Sequence, residues 1–139
     1  MSRWFRAAMS AVLFSGLTGC TELGPITYPV RGKITSQDGK PWAGGMVNFK
    51  SARDPGMLAT GEIQADGSFI LTTYYVEAGR AKTKLGAVAG EHTVTIVEPG
   101  PPEGQGRVNR VKPIILARKY HIEAEDNSLT IEIPKPGKP

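Results

Sequence analysis

One thiol, two imidazoles and a scatter of carboxylates and aromatic rings are the groups in this 139-residue sequence whose types could do chemistry. The thiol of Cys20 is the only one, so a disulfide within the chain and a Cys-based zinc or redox site are both excluded. His92 and His121 lack the HxH or HxxxH spacing that sets two nitrogens on one strand or helix face. Alternation puts His92 at a strand end, packed under a turn at Gly90, and His121 in an exposed polar stretch beside Tyr120. Asp38, Glu62 and Asp66 carry the hard oxygens that calcium prefers, but the DxDxDG spacing is missing. Asp38 and Asp66 each precede a glycine, where a carboxylate is already occupied accepting backbone N–H bonds in the turn. No metal and no cofactor is expected. Trp42, Tyr74 and Tyr75 offer an aromatic platform for a sugar ring or a peptide, with core packing the competing role for Trp42. Arg107, Arg110 and Lys112 cluster in a polar loop, where solvated charge is commoner than contact with lipid headgroups or an anionic glycan. No GxSxG elbow or other nucleophile context is present, so no catalytic residue is assigned.

The position of Cys20 explains why a chain keeps one thiol. Arg3 and Arg6 form a positive leader, and Ala7 to Leu17 is an apolar run of eleven residues, short of the roughly 20 that a membrane-spanning helix needs. Residues 1–19 therefore have the form of a signal peptide. Leu17-Thr18-Gly19-Cys20 resembles the lipobox of bacterial lipoproteins. That resemblance implies cleavage between Gly19 and Cys20, a diacylglycerol on the Cys20 thiol and further acylation of the new amine. Each buried CH₂ then contributes about 0.8 kcal/mol to a membrane anchor. It also implies a cell-envelope location with the domain outside the cytoplasm. Thr21 stands where Asp retains lipoproteins at the inner membrane of some double-membraned bacteria, which favours the outer membrane.

Removal of residues 1–19 leaves 120, enough for one domain with a core. It also removes Arg3 and Arg6, leaving 15 cationic side chains against 13 acidic ones. A surplus that small gives no nucleic-acid footprint. Gly and Pro, 17 and 11 in number, break the sequence into short runs with no helical period, which favours strands and turns. Residues 20–27 form a lipidated tether and 28–134 the domain. Within it Val30/Ile34, Val47/Phe49, Phe69/Leu71, His92/Val94/Ile96 and Leu129/Ile131/Ile133 alternate inward. Asp38-Gly39 and Asp66-Gly67 mark turns. Residues 73–90 have the look of a long irregular connection, and "IILARKY" of an edge segment or turn. The Pro-rich residues 135–139 are a tail. The expected fold is an all-β, antiparallel Greek-key sandwich of about seven strands.

Val30-x-Gly32-x-Ile34, Asp38-Gly39-Lys40-Pro41, Gly44-Gly45-x-Val47-x-Phe49, Asp66-Gly67-x-Phe69-x-Leu71 and Gly90-Glu91-His92-x-Val94-x-Ile96 follow in an order that resembles the carboxypeptidase regulatory-like domains. These are transthyretin-like (prealbumin-like) sandwiches. With Lys119-Tyr120 and Ser128-Leu129-Thr130-Ile131-Glu132 the pattern is similar to small bacterial lipoproteins carrying that domain alone. His92 stands where an aromatic is usual and Trp42 where an aliphatic is usual. The matching residues are turns and core, which specify a fold and no chemistry. The function implied is a non-catalytic, lipid-anchored envelope module, structural or protein-interacting, with membrane, envelope proteins or glycans as partners and no nucleic acid. A carbohydrate- or peptide-binding module is the alternative. A small transthyretin-like hydrolase is more remote, since the Tyr-Arg-Gly-Ser ending of the isourate hydrolase of that fold is replaced by Pro-Lys-Pro-Gly-Lys-Pro.

Overall fold

A computed structural model describes residues 24–100 and 112–134. Residues 1–19, expected as a signal peptide, together with Cys20, Arg107, Arg110 and residues 135–139, lie outside the described residues. Among the described residues ten strands follow one another: β1 (Val30–Ser36), β2 (Met46–Ser51), β3 (Leu58–Glu62), β4 (Ser68–Ile70), β5 (Thr72–Glu77), β6 (Arg80–Leu85), β7 (Gly90–Val97), β8 (Ile114–Ile115), β9 (Tyr120–Ile122) and β10 (Asn127–Ile133). Seven have five residues or more, while β4, β8 and β9 are short. One sheet runs β10-β1-β4, and the other runs β6-β5-β3-β2-β7-β8 with β9 also paired to β7. The two together make an open β-sandwich, as expected from the sequence.

The interior is made of the alternating residues. Ile34, Val47, Phe49, Leu71, Val94, Ile96 and Ile131 are fully buried, and Val30, Phe69 and Ile133 nearly so. Leu129 packs against them half-buried. The Phe49 ring lies at the centre, 6.1 Å from the rings of Phe69 and His92 and 6.3 Å from that of Tyr120. Tilted aromatic pairs at such distances add to the stabilisation that burial alone supplies. Gly45 is where β2 comes too close for a side chain: its φ is +86°, and a Cβ would stand 2.1 Å from the Val97 carbonyl oxygen.

Two features differ from the sequence expectation. Residues 73–90 are largely regular. β5 and β6 form a hairpin in register from Thr72↔Leu85 to Glu77↔Arg80, closed by Ala78 and Gly79 at φ 49° and 73°. Positive φ at both central residues is the type I′ arrangement whose twist matches the strands. The hairpin lacks alternation because it stands at the sheet edge with both faces largely in solvent. Lysines along an edge strand also oppose pairing with other chains. The second feature is the pairing of β1 with β10, which is parallel from Val30↔Asn127 to Ser36↔Ile133. Both strands therefore run from one pole of the sandwich to the other. "IILARKY" supplies β8 and the start of β9, a short edge on β7.

Candidate functional site at the Trp42 pole

The far ends of β1 and β10 deliver Ser36 and Ile133 to the same pole. There the chain turns at Asp38-Gly39, with Gly39 at φ 82°, Gly39 N donating to Ser36 O and Ser36 N to Lys40 O, each at 2.8 Å. The Asp38 carboxylate accepts from the Ser36 hydroxyl and, at 3.2 Å, from Lys40 N. Those bonds, the Ser36 hydroxyl foremost and then the Lys40 backbone, hold Asp38 below the ordinary carboxylate range. Pro41 then bridges Thr35, and Trp42 N donates to Ile34 O at 2.9 Å. The turn thus fixes where Trp42 leaves the backbone.

The indole packs half-buried against the core and walls a cavity of about 360 Å³ together with Ile114, Ile133 and Pro134. Asp38 and Glu98 also line it. On its other side Trp42 borders a shallower depression with Pro41, Glu98 and Pro99. The indole Nε1 is shut off from solvent and has no hydrogen-bond acceptor. An unpaired buried donor costs about 1–3 kcal/mol. A concave, mainly apolar space with a few polar groups is the usual form of a small-ligand site. Its chemistry suits an apolar body carrying an acceptor, beside two carboxylates that would welcome a cation or hydroxyls. Trp42 packs against the core and also lines the cavity.

Tyr74 and Tyr75 do not join it. Tyr74 stands on the outer face of β5, half-exposed and opposite Leu58. Tyr75 points to the other face and lines a separate groove with Pro25, Asp54 and Met57. In the shared sheet Leu58 pairs with Lys50, at the end of β2 opposite Met46 and Val97. The tyrosines are therefore at the pole away from Trp42, and a single platform of all three aromatics is not formed. The calcium candidates are dispersed as well. Asp66 accepts from Ser68 N at 3.0 Å and from the Ser68 hydroxyl at 2.6 Å, which holds it below its ordinary range, and Glu62 is exposed on β3. Among the described residues no three His, Cys, Asp or Glu converge.

His92 is buried at the start of β7, its ring nitrogen Nδ1 3.0 Å from Gly90 O. A carbonyl can only accept, so Nδ1 carries the proton. Burial pushes this imidazole below its ordinary pKa, against the opposing pull of the Gly90 carbonyl. It is a neutral packing group, as the alternation implied. His121 is exposed, with Nε2 3.7 Å from the Glu123 carboxylate. Lys112 is exposed too. Sequence reasoning missed Ile114, Ile133 and Pro134 as cavity walls. Ile133 was legible only as core, and nothing local joins it to Trp42. No protein-family model and no curated protein matches the chain, so what the Trp42 cavity can hold is argued from its own chemistry.

Proposed function

We propose that this chain is a lipid-anchored envelope lipoprotein whose β-sandwich works without catalysis, as an interaction module held to the membrane through Cys20. The observation that carries this reading is Leu17-Thr18-Gly19-Cys20 behind a basic leader and a short apolar run, and the polarity of the domain fits it. The chain enters β1 at Tyr28, which bridges Ala87 at one pole, and β1 and β10 run from there, side by side, to the Trp42 cavity at the other. A seven-residue strand spans about 20 Å, so an anchor ahead of β1 leaves the cavity facing away from the bilayer. The polar groups fit a non-catalytic role: Asp38 and Asp66 are held by their turns, and His92 is enclosed against Phe49. The order of turn and core residues supports kinship with the carboxypeptidase regulatory-like lipoproteins. The test is metabolic labelling with a palmitate analogue. Wild type takes up the label and partitions with membranes, whereas Cys20→Ser does neither. Equal labelling of the two would refute the anchor.

The cavity favours a second reading, a module that binds a sugar or peptide end at Trp42. Trp42→Phe removes the indole N–H and keeps an apolar ring, so it should weaken retention on isolated cell wall while leaving the fold intact. Undiminished retention would remove Trp42 from the interaction.

A further inference from the structure

The path of the chain into the sandwich singles out the β5–β6 hairpin. Gly24 lies against Tyr75, whose hydroxyl would stand 2.8 Å from a Cβ at that position. The Thr27 hydroxyl donates to Leu85 O at 2.8 Å, and Tyr28 pairs with Ala87. Followed backwards from Tyr28, the chain climbs the hairpin from the level of Leu85 to that of Tyr75 and Lys82. That is close to the turn at Ala78-Gly79. Cys20 lies only a few residues further on, and four residues reach about 14 Å at full extension.

The tip is suited to what such an anchor would bring near. Val76 on β5 is 74% exposed, and Ile26 in the tether is 73% exposed. Arg80, Lys82 and Lys84 share the face of Tyr75, by the pairings Glu77↔Arg80, Tyr75↔Lys82 and Thr73↔Lys84. Glu77 is the hairpin's one acid, and it forms a salt bridge with Lys82. The neighbouring β2–β3 loop adds one charge of each sign, Arg53 and Asp54, and Asp54 accepts from Gly56 N at 3.2 Å. The hairpin itself is cationic, while elsewhere at this pole Glu91 pairs with Lys119 and the β9–β10 loop carries Glu123, Glu125 and Asp126. Cations attract anionic lipid only within about a Debye length, roughly 10 Å, and the short tether holds them in that range.

We propose, on the reading that Cys20 is lipidated, that the tip of the β5–β6 hairpin is a membrane-contact element. It rests on the anchoring bilayer with Arg80 and the lysines of β6 against anionic phospholipid headgroups and Val76 at the headgroup boundary. The contact fixes the orientation of the sandwich, and the Trp42 cavity points outward as a result.

The full-length lipidated protein, whose Cys20 thiol is consumed as a thioether, carries one new cysteine for an environment-sensitive fluorophore. Val76→Cys places it at the hairpin and Lys40→Cys at the opposite pole. Both positions are exposed, and circular dichroism verifies that each variant is folded. The proteins are floated with vesicles of phosphatidylethanolamine and phosphatidylglycerol containing a headgroup-level lipid quencher. The label at 76 should shift to the blue and be quenched, while the label at 40 stays in water. Adding Arg80→Glu and Lys84→Glu should abolish quenching at 76, with the protein still floating. Floating protein whose two labels are equally unquenched would overturn the membrane contact and leave the anchor standing. Quenching at 76 that survives the charge reversals, or persists on purely zwitterionic vesicles, would overturn the role given to β6. Protein that does not float at all would overturn the Cys20 reading and this inference with it.

Discussion

Trp42 and His92 show how surroundings decide what a polar ring does. The Trp42 ring is packed by the core below it, yet its N–H is shut away without an acceptor. Trp42→Phe gives up that unpaired donor, so its stability loss should stay within about 1 kcal/mol, while Trp42→Ala should lose about 2–3 kcal/mol of burial and packing. Urea melts of the two variants check the difference. His92 makes stability depend on pH. Its pKa in the folded state lies below its ordinary 6.5 because burial disfavours the imidazolium. Above that ordinary value neither state is protonated and the contribution of His92 is complete. As the pH falls from about 6.5 towards the lowered folded value, the unfolded chain takes up a proton that the folded one refuses, and stability drops. The midpoint of thermal unfolding should therefore fall between neutral and mildly acid pH in wild type, and fall less in His92→Gln. A variant with the same acid slope would assign the effect elsewhere. The packing of His92 was legible because Val94 and Ile96 set the phase of its strand. The cavity beside Trp42 was not, because its walls come from β1, β8 and β10, far apart in sequence.

Strands that straddle core and solvent declare themselves by alternation, and strands that do not stay hidden. Phe69 and Val94 are at most 2% exposed, and each should cost about 2–5 kcal/mol when cut to Ala. Thr95 faces out on the same strand as Val94, half-exposed, and Thr95→Ala should change the melt little. A large loss at Thr95 would put that face inside an interface. The β5–β6 hairpin escaped sequence reasoning because "TTYYVEAGRAKTKL" has no buried face to impose a period, and its turn uses Ala-Gly in place of Asn-Gly. That choice leaves Ala78 at φ 49°, a left-handed conformation that costs an L-residue with a Cβ roughly 1–2 kcal/mol and Asn less. Ala78→Asn should accordingly raise the melting temperature. A lower one would show that the Ala78 side chain makes a favourable contact. The parallel pairing of β1 with β10 was also beyond local patterning, since the register of strands so far apart is settled by which face each must bury.

Seen whole, the molecule has a wet pole with a basic hairpin where the chain arrives and a concave, aromatic one where β1 and β10 end. Among the described residues its interior is mainly aliphatic and aromatic, and no three metal-ligating side chains converge. EDTA should leave the melt where it was, and an EDTA-induced loss of stability would reopen the calcium role of Asp38, Glu62 and Asp66. The β-sandwich itself was legible in turn glycines and alternating core residues, whereas the polarity emerged only once the strands were placed. What that polarity means depends on the chemistry of Cys20, and intact-mass analysis of protein isolated from its native cells tests it most directly. The account predicts a chain that begins at Cys20 and carries the added mass of a diacylglyceryl group, with further mass if the amine is acylated. A mature chain that begins at another residue, or one with a free Cys20 thiol, would contradict it.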